Sequence, residues 1–130
     1  TDTSINSGCL DEVDDNTCGL RGAINLANAG NTSYYHHIHL PGGTYTLTPP
    51  GYDDNNVLCD LDIYGATTII EGAGIYDTII TQAGTFDRII DHQGSRSLKL
   101  VNLTIQNGKL PTGMGGGWLG LDSRAYAINC

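Results

Sequence analysis

The sequence predicts an all-β fold: a right-handed parallel β-helix, or solenoid, of about four coils, with a short N-terminal α-helix that caps the first coil. Three seven-residue units at positions 68–74, 78–84 and 88–94 each carry an Ile-Ile pair and end in Gly. A short strand of this kind cannot bury its apolar face alone, whereas stacked copies bury it jointly. Flat sandwiches also space their strands at about ten residues. The recurrence of the Ile pairs in one phase before each Gly favours parallel stacking.

The length and composition are those of one domain. A chain of 130 residues can bury a modest core. Its 18 glycines are about twice the usual fraction and fall between β-rich runs, where they predict turns. We therefore predict a single β-helix domain over 1–130, with a disulfide-bracketed leader at 1–18, a capping helix at 19–30 and coils at 37–130.

The helix is predicted from the spacing of four apolar residues on one face, which are Leu20, Ala23, Ile24 and Ala27. Gly30 ends the pattern. A helix of two to three turns is too short to be stable by itself, so it must lie on an apolar surface. Leu20, Ile24 and Ala27 are its predicted core residues.

After the helix, every strong pattern is that of a strand. The predicted strands include 37–40, 44–48, 60–63, the three repeated units, 97–105, 118–121 and 125–128. The coil residues predicted to form the core are Ile69, Ile79, Ile89, Leu100 and Ile105.

Two segments carry a resemblance to a known family. Residues 18–29 resemble the Cys-Ser-Leu-Arg-Glu-Ala-type motif that opens many secreted, pectin-lyase-like right-handed parallel β-helix proteins, with Gly19 and Gly22 standing where that motif has Ser or Thr and an acid. Residues 38–47 resemble the Ile-x-Leu-Pro-x-Gly-x-Tyr-x-Leu strand that follows it. Similar matches continue at 60–63, 70–74, 102–108 and 115–117. The resemblance implies a β-helix at the cell surface or outside the cell, whose N-terminal part is scaffold.

The charge excludes several partners. A net charge of −8 with two lysines argues against nucleic acid, because phosphate binding needs clustered positive charge, and against anionic membrane surfaces. No apolar run approaches the ~18 residues of a transmembrane segment. Four cysteines fit an oxidising compartment. Cys9 and Cys18 are the predicted pair, while Cys59 and Cys130 pair by elimination, with an intermolecular bond through Cys130 as the alternative.

Carboxylates are the first candidates for chemistry. Polysaccharide lyases with β-helix folds use acidic clusters for calcium together with a basic residue. In this chain Arg88 or Lys99 could be that base, and the carboxylates that stacked strands could bring together are those of Asp60, Asp62, Asp87 and Asp91. The competing interpretation is that these side chains point outward into solvent. We expect no catalytic residue and no enzyme, with a lyase as the less favoured alternative.

Metal ligands are considered at two places. Asp53 and Asp54 lie in a loop with oxygen ligands of the kind Ca²⁺ prefers, without an EF-hand pattern, and solvated turns are the alternative. On a strand, His37 and His39 point to one face, but a third ligand is not evident nearby. His92 could supply it only if the coils align, and otherwise the histidines form a solvent-exposed pair.

Asparagines predict two further features. Asn102, Asn107 and Asn129 could stack as a ladder whose amides bond along the axis of the solenoid. Asn31 and Asn102 begin N-glycosylation sequons.

The predicted function follows from the ends of the solenoid, since exposed strand edges are templates for pairing. We expect an extracellular structural protein that self-associates head-to-tail into a filament or surface layer through an uncapped end. The predicted assembly edge consists of Trp118, Leu119, Leu121, Tyr126, Ile128 and Cys130. The alternative is an adhesin or a carbohydrate-binding β-helix fragment with a polysaccharide partner.

Overall fold

A computed structural model describes residues 19–30, 33–47, 60–83, 87–94, 96–110, 116–121 and 124–130. These ranges contain one α-helix and ten strands. The helix is α1 (Leu20–Ala29). The strands are β1 (Tyr35–Leu40), β2 (Gly43–Leu47), β3 (Leu61–Ile63), β4 (Thr67–Gly72), β5 (Thr78–Gln82), β6 (Ile90–Gln93), β7 (Ser97–Val101), β8 (Thr104–Gln106), β9 (Trp118–Leu121) and β10 (Arg124–Ile128).

The strands form three parallel sheets, and each sheet takes every third strand of the chain. Sheet A has the order β1-β4-β7-β10, sheet B has β2-β5-β8 and sheet C has β3-β6-β9. All neighbouring strands pair in parallel. The prediction of a strand-rich chain with one short helix is confirmed, and the parallel pairing is consistent with a β-helix.

The register of sheet A defines one row of core side chains. Ile38 lies opposite Ile70, Ile70 opposite Leu100, and Leu100 opposite Ala127. Ile70 and Leu100 are almost completely buried. Side chains of in-register residues project to the same face of a sheet, so this row faces the core, and only its last member, Ala127 in β10, is exposed.

The predicted core is right in most positions and wrong in two. Ile89 and Leu100 are buried, and Ile105 packs against the core. Ile69 and Ile79 are only half-buried, whereas the second isoleucines of those pairs, Ile70 and Ile80, are completely buried. A strand turns successive side chains to opposite faces, so only one Ile of the pair faces the core in β4 and in β5. In the third pair both Ile89, which precedes β6, and Ile90 are buried.

Helix α1 packs against β1 and β3. Its predicted core face is confirmed, since Leu20, Ile24 and Ala27 are all buried. Gly19 at the N-cap has no side chain to bond the first turn. Side chains of the helix attach it to the sheets. The first attachment is made by Arg21, which donates to the carbonyl of Asp60 at 2.7 Å.

Asn28 makes the second attachment of the helix, at the turn after β3. Its Nδ2 donates to the carbonyl of Asp62 at 2.8 Å, and its Oδ1 accepts from the backbone N–H groups of Tyr64 and Gly65 at 3.0 and 3.1 Å. One amide therefore satisfies three backbone groups of the β3–β4 turn. Within the described ranges, no helix has the length and apolar content to cross a bilayer.

Candidate functional site

Three carboxylates meet on sheet C. Asp60, Asp62 and Asp91 each offer an oxygen, and these oxygens lie within 4.8 Å of one another. Asp62 in β3 is in register with Asp91 in β6, and Asp60 immediately precedes β3. We call these three residues the acidic cluster.

The acidic cluster is buried, which corrects the expectation that its side chains simply point into solvent. The exposed fractions are 4% for Asp60, 1% for Asp62 and 4% for Asp91, and Asp87 nearby is exposed by 5%. Leu61 and Ile63 flank Asp62 and belong to the hydrophobic core. Strand alternation places Asp62 on the face opposite to these two side chains, and that face is nevertheless closed to water.

Arg88 is a cation that contacts the cluster. Its Nη1 lies 2.5 Å from Oδ2 of Asp91 in an ion pair, and its backbone N–H donates to Oδ1 of Asp87 at 2.8 Å. Lys99, the other predicted base, lies in β7 of sheet A opposite Ile69 and so is not part of this site.

The buried, negatively charged surroundings raise the pKa of Asp60. Burial raises the pKa of its carboxyl to about 8, and the negative charges of Asp62, Asp87 and Asp91 act in the same direction, against a smaller opposite effect of Arg88. Oδ1 of Asp60 and Oδ1 of Asp91 are buried and have no hydrogen-bond partner among the described residues. The arrangement can therefore hold a proton on Asp60 at neutral pH, or a divalent cation among the carboxylates.

His92 lies inside the protein rather than with the other histidines. It is 1% exposed, and burial lowers the pKa of its imidazole, against smaller raising effects of a backbone hydrogen bond with Arg96 and of Asp91. Its ring centroid is 6.4 Å from that of Trp118. His92 is in register with Ile63 in sheet C, whereas His37 lies in sheet A. The alignment of coils under which His92 could be a third ligand for His37 and His39 is therefore not present.

The partner of the two surface histidines is Glu71, which the sequence analysis missed. Nε2 of His37 lies 2.8 Å from Oε2 of Glu71, at hydrogen-bond distance. The available signal was the acid that follows the first Ile-Ile pair. It becomes a neighbour of the histidines only through the register of β1 with β4, which places Glu71 opposite His39.

The predicted assembly edge coincides with edge strands. Strands β9 and β10 lie at the edges of sheets C and A. Tyr126 and Ile128 in β10 are exposed by 54% and 43%, and Trp118 in β9 packs against the core. Leu119 and Leu121 pair with Asp91 and Gln93 through their backbones, and their side chains lie outside the described part of the chain. Cys130 is an exposed free thiol.

The asparagine ladder is present in part. Nδ2 of Asn129 donates to Oδ1 of Asn102 at 3.1 Å, and both residues have positive φ angles of 51° and 52°. Asn107 instead donates to Oγ1 of Thr81 at 2.9 Å. The ladder therefore joins Asn102 and Asn129 and does not extend to Asn107.

The remaining predicted residues lie outside the described ranges, and their assignments stay predictions. They are Cys9, Cys18 and Cys59 of the disulfides, Asp53 and Asp54 of the calcium loop, and Asn31 of the first sequon. The leader at 1–18 is outside as well.

Comparison with known proteins found no match to a protein-family model, to a curated protein or to a solved structure.

Proposed function

We propose that the three sheets are the faces of a right-handed parallel β-helix of about four coils, capped by α1. The support is the recurrence of every third strand in the same sheet, with parallel pairing throughout. The contacts of α1 with β1 and β3 place the helix at one end of sheets A and C. This is the architecture that the resemblance to secreted pectin-lyase-like proteins implies.

We propose further that the protein is an extracellular structural protein that self-associates through the edge formed by β8, β9 and β10. The observation that carries this proposal is the state of β10. Its inward positions, Ala125 and Ala127, continue the rows of the buried residues Leu98 and Leu100, yet all five residues of β10 are exposed.

A second copy is the occupant that fits this edge. The end of that copy covered by α1 would lie over Ala125 and Ala127 and bury the apolar surface of their row. In head-to-tail association, β10 of one molecule contacts the opposite end of the next molecule. Such contacts form a ring only if the rotation between neighbouring molecules closes, and otherwise they form an open chain of molecules. A filament or surface layer is the result.

Sedimentation velocity over a concentration series tests the edge. The parent chain should form large species as its concentration rises, whereas Ala127→Asp should remain monomeric, because a charge in the core row opposes stacking. Ala73→Asp is the matched control, since Ala73 is exposed in the turn between β4 and β5. A parent chain that is monomeric at every concentration, or equal association of both variants, would contradict the proposal.

Exposed tyrosines favour carbohydrate binding as the second candidate. Tyr34 and Tyr35, adjacent in sequence, are exposed by 69% and 67%, and aromatic rings of this kind can pack against sugar rings. An adhesin or carbohydrate-binding β-helix fragment would use them. Titration calorimetry with acidic and neutral polysaccharides should then show a heat of binding. The double variant Tyr34→Ala, Tyr35→Ala should lose this heat of binding, whereas Tyr76→Ala should keep it.

We also propose that the acidic cluster holds Ca²⁺ as a structural ion. Its buried carboxylate oxygens are the ligands that Ca²⁺ prefers, and a bound cation would offset their mutual repulsion. The same burial opposes polysaccharide lyase action here, because a polymer must reach the catalytic groups. Release of unsaturated products from an acidic polysaccharide, lost in Asp91→Asn, would reverse that conclusion.

A further inference from the structure

The outer face of sheet A carries a compact set of three metal-ligating side chains. His37 and His39 come from β1 and Glu71 from β4, and their ligand atoms all lie within 4.8 Å of one another. We propose that these residues form a surface site for a divalent transition-metal ion, with Zn²⁺ as the ion that fits the ligand set. The site is separate from the acidic cluster, which belongs to sheet C.

The paired strands position all three ligands. His37 and His39 are two residues apart in β1 and therefore project to the same face. Glu71 lies directly opposite His39 across the parallel pair. The imidazole rings of His37 and His39 are stacked, with centroids 4.0 Å apart. Because the ligands sit on strands rather than on a loop, little conformational entropy is lost when an ion binds.

The distances match a tetrahedral ion. Bonds of about 2.0–2.1 Å to Zn²⁺ put neighbouring ligand atoms about 3.3–3.4 Å apart. In the structure, Oε2 of Glu71 is 2.8 Å from Nε2 of His37 and 3.9 Å from Nδ1 of His39. The two values lie on either side of the ideal one, so small side-chain rotations bring both nitrogens into range.

The exposure of the site leaves room for further ligands. The side chains of His37, His39 and Glu71 are exposed by 35%, 69% and 34%. Three protein ligands with solvent access leave a fourth position for water or another ligand, as in zinc sites that are not purely structural. The ion can also enter without unfolding.

The ligand types select against Ca²⁺ and Mg²⁺. Imidazole nitrogen suits Zn²⁺, Cu²⁺ and Ni²⁺, whereas the alkaline-earth ions prefer oxygen. In the metal-bound state each histidine binds through one nitrogen, Nε2 of His37 and Nδ1 of His39, and the other nitrogen of each ring carries the proton. In the metal-free state Nε2 of His37 carries a proton and donates it to Oε2 of Glu71. Without metal, the hydrogen bond between His37 and Glu71 holds the ligands together.

Zinc titration calorimetry tests the site. The protein carries Cys130→Ser to remove the exposed thiol, and excess Ca²⁺ occupies oxygen-only sites. Zn²⁺ should bind, and both His39→Ala and Glu71→Gln should weaken that binding by about tenfold or more. Asp62→Asn, in the acidic cluster, is the control and should leave the zinc affinity unchanged. Equal zinc affinity in the parent, His39→Ala and Glu71→Gln would overturn the proposal.

Imidazole NMR spectra give a second readout that does not depend on folding defects in a variant. Added Zn²⁺ should shift the ring signals of His37 and His39 and leave those of His92 in place. Unmoved signals of His37 and His39 at saturating Zn²⁺ would overturn the site. A shift confined to His92 would do the same.

Discussion

Asp62 lies directly opposite Asp91 in the parallel pair of β3 with β6, and both carboxyl groups are buried. Like charges at one register position of adjacent strands repel each other. With Asp60 and Asp87 nearby, a proton or a bound cation would lower this repulsion. This relationship makes pH and Ca²⁺ the two variables to which the stability of the fold should respond.

The contribution of Asp60 to the free energy of unfolding should fall as the pH rises from about 4 to about 8. The pKa of Asp60 rises from its ordinary value of 3.8 to about 8 in the folded protein, so between these values the folded chain holds a proton on Asp60 that the unfolded chain does not. Each pH unit in this window removes up to about 1.4 kcal/mol. Urea unfolding at several pH values in the presence of EDTA measures the slope. Asp60→Asn should have a shallower slope, and equal slopes would count against the assignment.

Calcium should stabilise the protein most at alkaline pH, where Asp60 can ionise. At pH 8, Ca²⁺ should raise the melting temperature of the parent chain, and Asp62→Asn should abolish that rise because it removes a ligand. Asp77→Asn is the matched control, since Asp77 is exposed in a turn. A calorimetric scan with and without Ca²⁺ measures the effect. The same rise in Asp62→Asn and the parent would place the ion elsewhere.

The two isoleucines of β4 should differ sharply in their contribution to stability. Ile70 is completely buried, so Ile70→Ala should destabilise by about 2–5 kcal/mol through lost burial and the cavity left behind. Ile69 is half-buried on the other face, so Ile69→Ala should cost roughly 1 kcal/mol or less. Urea unfolding of both variants makes the comparison. Equal losses in the free energy of unfolding would mean that Ile70 does not face the core while Ile69 faces away from it.

The packing of α1 on the β3–β4 turn can be tested at Gly65. A Cβ added to Gly65 would lie 2.4 Å from Cα of Asn28, which is backbone and cannot move aside cheaply. Gly65→Ala should therefore destabilise by about 1–3 kcal/mol. Gly42→Ala is the control, because the nearest atom to its added Cβ is 3.5 Å away. If Gly65→Ala is as stable as Gly42→Ala, the helix does not sit on the β3–β4 turn.

The sequence predicted local features better than features that depend on register. The core face of α1 follows from helical spacing. The pairing of Asn102 with Asn129 is the confirmed feature that does depend on register. An Ile-Ile pair does not reveal which member faces inward, and this is why Ile69 was assigned to the core in place of Ile70. Glu71 could not be joined to His39 before the pairing of β1 with β4 was known.

The burial of the acidic cluster could not be predicted from the sequence either. Asp60 and Asp62 were candidates because of their residue type, but their burial depends on how sheet C is covered. Alternation predicts that Asp62 faces away from Leu61 and Ile63, and it gives no information on whether that face meets water. Residue type therefore predicted the members of the site, and the tertiary structure determined its electrostatics.

If a second copy covers β10, electron microscopy of the concentrated protein should show filaments. Strand layers spaced by about 4.8 Å together with a helix about 10 Å wide predict unbranched filaments with an axial repeat of roughly 25–30 Å. Ala127→Asp should give dispersed particles under the same conditions. Dispersed single particles of the parent chain at every concentration would rule out association through β10.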